Sequence, residues 1–472
     1  MKSTTRSKLL MLLVVLTMAA MGCTNAGDTA ATEGSDAADE GSAAANNKES
    51  AGAEPSGSAN AEKITLEYWT SITAEQETYT EIVKSYTDVN PNVEVKVTYL
   101  PTSGIDEKIN VALAANQMPD LYSDSSQRLF SLALKGVFQP LDEYITPEYN
   151  LEDINPRLLE TSKINGEIVT LPYGQSVWNL MVNKELFKMA GVEDLLPDEE
   201  TRAWSRDDFE KATKAISELG NGIYGFGLGG VMSNHDKYID GFIYADGDEY
   251  TNADDTKFIY NSDRNVKTFQ WLIDLTRSSA AVPGAAGLSD ANLRDMFKQG
   301  KIGVMTTTGF DEIAALEQQI AEGKSDLKLD AMLAHYPTGD GSPSKLFIYS
   351  DVIAVKKQED KKRMEEAAKF ALWLTSGKID ALNEAHYVKG GILPPRTSQM
   401  KFVSHPERQR TMQMADYTLR NRFSVPTYQE NRKLFFDQFQ SALNGEITAK
   451  EALDNFVENA TKLLEEYNAK NK

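Results

Sequence analysis

The chain has one cysteine and four histidines in 472 residues. A single thiol excludes an internal disulfide and any cysteine-built zinc site, and four scattered imidazoles argue against zinc catalysis. Basic residues are in deficit: 49 Lys and Arg stand against 70 Asp and Glu, a formal charge of −21 and a pI of about 4.8. A surface of that sign repels phosphate backbones, so nucleic acid is not an expected partner. After position 23 no run is apolar enough to span a bilayer. What the chain does have is a globular composition, 41% hydrophobic and 25% charged. Its length allows two or three lobes that each bury a core.

Lys2, Arg6 and Lys8 precede an uncharged apolar run, Leu9 to Ala20. That run is too short for a spanning helix and right for a signal-peptide core. The small-residue site behind it, Ala20-Met21-Gly22-Cys23, holds the lone cysteine and resembles a bacterial lipobox. The resemblance implies cleavage before Cys23 and lipidation of its sulfur. A diacyl anchor supplies two chains, enough for stable attachment to a membrane. Residues 24 to 61 are Ala, Gly, Ser, Asn, Thr, Asp and Glu with scarcely a large side chain. Such a stretch cannot bury apolar surface. The expected order is therefore a signal peptide over 1–22 and a lipid-anchored linker over 23–61, placing the body on the extracytoplasmic face of the cell membrane.

The body reads as alternating strands and helices. Ile64 to Trp69 alternates apolar and polar, and Val93, Val95, Val97 and Tyr99 do so again. Between them Tyr79, Ile82, Val83 and Tyr86 recur at helical spacing, and Asn90-Pro91-Asn92 ends the helix. A third strand follows Pro119-Asp120, and a helix runs from about Ser126 to Gly136. The order βαβαβα predicts a parallel sheet with helices on both faces. Ser205 with Asp208, and Thr448 with Glu451, predict two further helix starts, and Asp351–Val355 a buried strand. In open sheets ligands sit at the carboxyl ends of strands. Those ends here read Trp69-Thr70-Ser71 and Ser123-Asp124-Ser125-Ser126. Hydroxyls, amides and carboxylates beside rings suit a hydroxyl-rich solute.

Several longer pieces carry a family resemblance. They are Asn90–Val95, Ala115–Leu121, Gly166–Gly174, Met181–Phe187, Phe297–Met305 and Gly390–Pro395. In their order and spacing the chain resembles extracellular solute-binding protein family 1, the carbohydrate-type binding component of ABC importers. The resemblance implies an α/β, periplasmic-binding-protein-like type II fold, with two lobes joined by hinge strands around an interlobe cleft. By analogy the first lobe takes 62–172 and 338–376, and the second 177–335 and 377–472, with crossings near Pro172–Ser176, Tyr336-Pro337 and Ser376. It implies a non-enzymatic monomeric receptor, with a sugar as ligand, an ABC permease as partner and no cofactor.

The same analogy nominates the ligand contacts. Trp69, Ser71, Thr73 and Glu75 follow the first strand, and Asp124, Ser126 and Gln127 the third. Tyr173, Ser176 and Trp178 lie at the first crossing, and Asn234, His235 and Asp236 form a polar cluster. Asp246, Gly309, Phe310, Tyr349, Asp351 and Arg396 complete the set, with Asp124 the leading carboxylate. Trp204 and Trp373 sit on helical stripes and are expected in the core. Gly225, Gly227 and Gly230 match a dinucleotide fingerprint in spacing, but polar loop follows where a helix must open. A secreted glycoside hydrolase, a surface adhesion module, and a receptor for a peptide or polyamine stay open as other readings.

Overall fold

The computed structural model describes residues 63–71, 76–101, 104–231, 235–307, 309, 311–325, 328–389, 392–414 and 425–471. The lipobox, Cys23 and the linker lie outside them. The strands are β1 (Ile64–Thr70), β2 (Val93–Tyr99), β3 (Leu121–Ser125), β4 (Lys163–Ile164), β5 (Glu167–Ile168), β6 (Leu171–Val177), β7 (Asn179–Asn183), β8 (Tyr224–Gly227), β9 (Ile302–Thr307), β10 (Ala331–Ala334) and β11 (Ile348–Val355). They form two main sheets, ordered β2-β1-β3-β11-β6 and β10-β7-β9-β8, plus the small β4-β5 pair.

Alternation builds the first sheet. Leu66 and Tyr68 point into one core with Tyr79, Tyr86 and Phe370, while Tyr122 and Val352 point into the opposite core with Ile109 and Leu129. Helices thus cover both faces, as the pattern predicts. The strand directions do not all follow it. β1 is parallel to β2 and β3, but β11 runs antiparallel to both β3 and β6. The cause is connectivity: β6 carries the chain out of this sheet and β11 carries it back, so they oppose each other. The carboxyl ends of β1, β3 and β6 and the amino end of β11 consequently share one edge. In the second sheet β7 and β9 are wholly buried, as central strands covered on both faces must be.

The lobe crossings follow packing, and two fall elsewhere than the sequence suggests. Tyr336, Leu346 and Phe347 belong to the second lobe's core, so the return crossing sits at Phe347-Ile348, not Tyr336-Pro337. Leu382 lies in the first lobe's core, and Tyr387 donates a 2.7 Å hydrogen bond to the Tyr173 carbonyl. The chain therefore stays with the first lobe beyond Ser376. Val403 packs in the second core, and Glu407 accepts from the Leu333 amide at 2.8 Å. Leu393 bonds Gln175 in both directions and also packs in the second core, so the last crossing falls around it, ahead of Val403. Helices Tyr428–Asn444 and Ala449–Lys470 complete the second lobe, with Phe435 and Phe456 in its core.

Caps set the helix starts. Ser205 accepts from the Asp208 amide at 3.1 Å, and Thr448 and Glu451 bond reciprocally. Helix Arg206–Ser217 lies directly on β8, where a side-chain carbon at Gly225 would be 1.8 Å from the Thr213 carbonyl oxygen. That neighbour is backbone and cannot rotate away. Gly225→Ala is expected to cost about 3 kcal/mol or more by overpacking, read as a lowered urea midpoint with unchanged slope.

Candidate ligand-binding cleft

The shared edge of the first sheet is polar. Ser71 is half-buried there, its amide bonding the Ser123 carbonyl at 3.1 Å. Ser126 opens the helix Ser126–Leu134, and its hydroxyl accepts from the Ser350 amide at 3.1 Å. Gln127 beside it is buried, with its amide nitrogen unpartnered. Below the edge, hydroxyls tie the strands together: Tyr68 to Tyr79 and to Ser123, each at 2.7 Å, and Ser123 to Thr70 at 2.8 Å.

Two carboxyls occupy this edge in different electrostatic states. Asp124 is spent internally. It accepts from the Tyr122 hydroxyl, from Arg128 at 2.7 Å and from the Ser125 amide at 2.6 Å. Arg128 in turn bonds Asp106 at 2.7 Å. Asp351, by contrast, receives no hydrogen bond from any described side chain or amide. It is half-buried, with protein packed closely around it. Burial, reinforced by the Asp124 charge, pushes its carboxyl up to about 7. Tyr173 lies beneath, its hydroxyl raised well above the usual range by burial and next by Asp351. Beside it the His386 ring stacks on Tyr79 at 5.6 Å, and burial lowers it to about 4, so it is neutral.

The second lobe brings rings and amides. Trp178, between β6 and β7, is buried against Tyr238, Phe347 and Tyr349, with the Lys237 ammonium 5.0 Å from its ring centre. Tyr349 and Ser176 pair across β11 and β6, and both are half-buried. Asn179 pairs with Thr307 where β7 begins and β9 ends. Its amide is fully buried with neither atom partnered. Leaving such a group unpaired costs about 1–3 kcal/mol. Gly309 follows, its carbonyl bonded by the Thr307 hydroxyl at 2.8 Å.

Three nominated residues have other roles. Asp236 is fully buried and receives two bonds from Arg432, at 2.7 and 2.9 Å, so it anchors helix Tyr428–Asn444. Asp246 pairs with Arg206 and accepts from the Gly339 amide at 2.7 Å. Arg396 is buried, bonding the Thr375 and Asn150 carbonyls with its guanidinium 4.6 Å from the Tyr149 ring centre. Trp69 lies at the edge, but its ring packs on the second face under Lys108, 4.7 Å from the centre. Thr73, Glu75, Asn234, Phe310 and the His235 side chain lie outside the described residues. Trp204 is in the core as expected.

Sequence reasoning passed over Asn179 and Gln175. Gln175 is buried, donating to the Pro394 carbonyl at 2.7 Å. Its signal was an amide next to Ser176 inside the strand Leu171–Val177. Among the described residues no cluster of three metal-ligating side chains occurs, and no helix is long and apolar enough to cross a membrane. A groove of about 690 Å³ between helices Arg206–Ser217 and Asp263–Arg277 lies away from this edge, and its Trp271 indole is spent on Glu210.

Two sheets joined by three crossings, with polar groups gathered where the strands pass between them, define a type II periplasmic-binding-protein-like fold. Residues 69–379 match the model of the bacterial extracellular solute-binding proteins, and the chain belongs to that family. It is 27% identical to a binding protein of Brucella abortus (strain 2308) over 264 residues, 55% of this chain and 60% of that one. It is 27% identical to the arabinooligosaccharide-binding protein of Bacillus subtilis over 241 residues, 50% of this chain and 52% of that one. The chain thus aligns with little more than half the length of these relatives. An ABC substrate-binding protein of Listeria monocytogenes in complex with cycloalternan superposes with a TM-score of 0.69 at 22% identity, covering 85% of this chain and 99% of that one. A maltose-bound T. maritima protein does so with a TM-score of 0.69 at 19% identity, covering 85% and 100%.

Asp236→Ala would strand the Arg432 guanidinium in the core. The expected loss is about 3–5 kcal/mol, measured as a drop in the urea midpoint.

Proposed function

We propose that the chain is the substrate-binding component of an ABC importer, and that it captures a sugar, an oligosaccharide, between its lobes. The observation that carries this reading is the shared edge: half-buried Ser71, Ser176 and Asp351 offer hydroxyl and carboxylate groups beside the half-buried Tyr349 ring, with the unpartnered Asn179 amide buried next to them. Planar polar groups pair with sugar hydroxyls, and ring faces cover the C–H faces. The bound names of the relatives, an arabinooligosaccharide and maltose among them, support the same class. Each lobe supplies part of the site, so ligand favours the closed arrangement by binding it more tightly. The closed form then presents its cargo to a membrane permease. The chain acts as a monomeric receptor without chemistry of its own and needs no cofactor.

We further read Cys23 as the lipidated residue that holds the protein outside the cell membrane. A lipoprotein of Bacillus subtilis, 26% identical over 136 residues and 27% of this chain, is in keeping with that. Cys23→Ser is expected to move the protein from the membrane fraction to the soluble extracytoplasmic fraction and to abolish acyl labelling. Retention of the variant on the membrane would overturn the assignment.

Thermal-shift screening against saccharides, peptides and polyamines tests the ligand class. A binding oligosaccharide at a hundredfold excess over its Kd stabilises by about 2.7 kcal/mol and raises Tm accordingly. A shift with a peptide or polyamine and none with any saccharide would remove the sugar reading.

A further inference from the structure

β11 and β6 keep register from Ile348 to Asp351 and then slip: Asp351 stands opposite Gly174, but Val352 stands opposite Pro172. The extra residue, Tyr173, is a bulge of the kind that redirects side chains beside binding sites. Gly174 has no side chain to fill the space this leaves. A side-chain carbon there would be 3.2 Å from Asp351 Oδ2 and 2.6 Å from Ile392 Cγ2. The Asp351 carboxyl thus stands in a slot kept open by a glycine. Some of its neighbours' hydrogen bonds are committed, whereas the Tyr173 hydroxyl and both His386 ring nitrogens are buried without a partner. On β3, Asp124 is held by Arg128, which is shared with Asp106. On the π-helical turn Glu384–Lys389, Tyr387 donates to the Tyr173 carbonyl and His386 is neutral. On β6, the Tyr173 hydroxyl lies in the field of Asp351, and on β1 that of Tyr68 is bonded to Tyr79 and Ser123.

We propose that Asp351 is the specificity-determining residue of the cleft, its carboxylate accepting hydrogen bonds from two vicinal hydroxyls of the captured saccharide. The inference rests on the sugar-binding reading above and adds to it the group that selects the ligand. Two carboxylate oxygens accept two donors held side by side, a geometry that adjacent ring hydroxyls supply and a single hydroxyl does not. Asp124 cannot take this role, because its oxygens already serve Tyr122, Arg128 and Ser125.

The assignment carries a sign. Without ligand, burial and Asp124 hold the Asp351 carboxyl near 7. Hydroxyl donors favour the charged form and lower that value. Capture therefore releases a proton. Affinity is full above about pH 8 and weakens as pH falls through 7, by up to about tenfold per unit, until the liganded group also titrates.

Calorimetric titration of the full chain with maltotriose and with arabinotriose, at pH 5.5 and pH 8, tests this. The wild type is expected to bind one of them more weakly at pH 5.5 and to release protons on binding at pH 7. Asp351→Asn keeps the shape, removes the titration and one acceptor, and is expected to bind on the order of 10- to 100-fold more weakly at pH 8, with no pH dependence. Because the amide carries no ionisation cost, this variant should melt at or above the wild-type temperature at pH 8, which separates lost binding from lost folding. Gly174→Ala fills the slot and should weaken binding while keeping the pH dependence. If the Asn variant binds like the wild type, or loses affinity but keeps the wild-type pH profile, Asp351 is structural and the proposal falls while sugar capture stands. If neither saccharide binds the wild type, the sugar reading falls and the proposal with it.

Discussion

Everything at the candidate site depends on β6 and β11 running antiparallel through one sheet. β6 must leave the first lobe and β11 must re-enter it, so the pair fixes where the backbone passes between two separately packed cores. Because β6 ends and β11 begins at the edge where β1 and β3 also end, the exits of four strands converge. Backbone groups at strand ends lose their ladder partners and must be met by side chains. The Ser126 hydroxyl does this here, accepting from the Ser350 amide. Polarity at the cleft is thus a structural requirement before it is a functional one.

Charge is handled by pairing within lobes and then across them. Asp236 and Arg432 neutralise each other inside the second lobe, while Arg128 serves both Asp124 and Asp106 in the first. Arg432 also feels the Asp106 charge from the other lobe. Lys135 and Glu430 approach at 3.7 Å between the helices Ser126–Leu134 and Tyr428–Asn444, and Phe130 from the first of these sits in the second lobe's core. Exposed pairs of this kind contribute little to stability, about 0–1 kcal/mol.

How much of this was legible in the sequence depended on the range of the interaction. Period-two and helical spacing gave β1, β2 and their connecting helix, and local hydrogen-bond logic gave the caps at Ser205 and Thr448. Periodicity marks a strand but not its partner, so Asp351–Val355 reads as a buried strand without its antiparallel direction. The packing around the crossings near Tyr336 and Ser376 is not legible locally, because which core receives Phe347 or Leu382 depends on contacts remote in sequence. The site residues failed or held for the same reason. Asp236 looked like a ligand group because its partner Arg432 lies 196 positions away. Asp124 looked available because Arg128, one turn on, reads as ordinary helix surface. Asp351 differs from both by the lack of a described partner, which no inspection of neighbouring residues reveals.

The contrast between the two carboxyls also bears on what kind of site this is. Glycoside hydrolysis needs an acid and a base on either side of one bond, each free to change protonation in the reaction. Here one member of the pair already accepts hydrogen bonds from a guanidinium, a phenol and a backbone amide. Its fixed charge makes ionising the other more costly. The result is one carboxyl held by Arg128, which Asp106 shares, and one carboxyl whose lone pairs await a donor. A neutral polyol can supply those donors without a countercharge, and can leave again because only hydrogen bonds hold it. On the proposed reading release matters as much as capture, and an acceptor whose ionisation is already costly keeps the complex from becoming too tight.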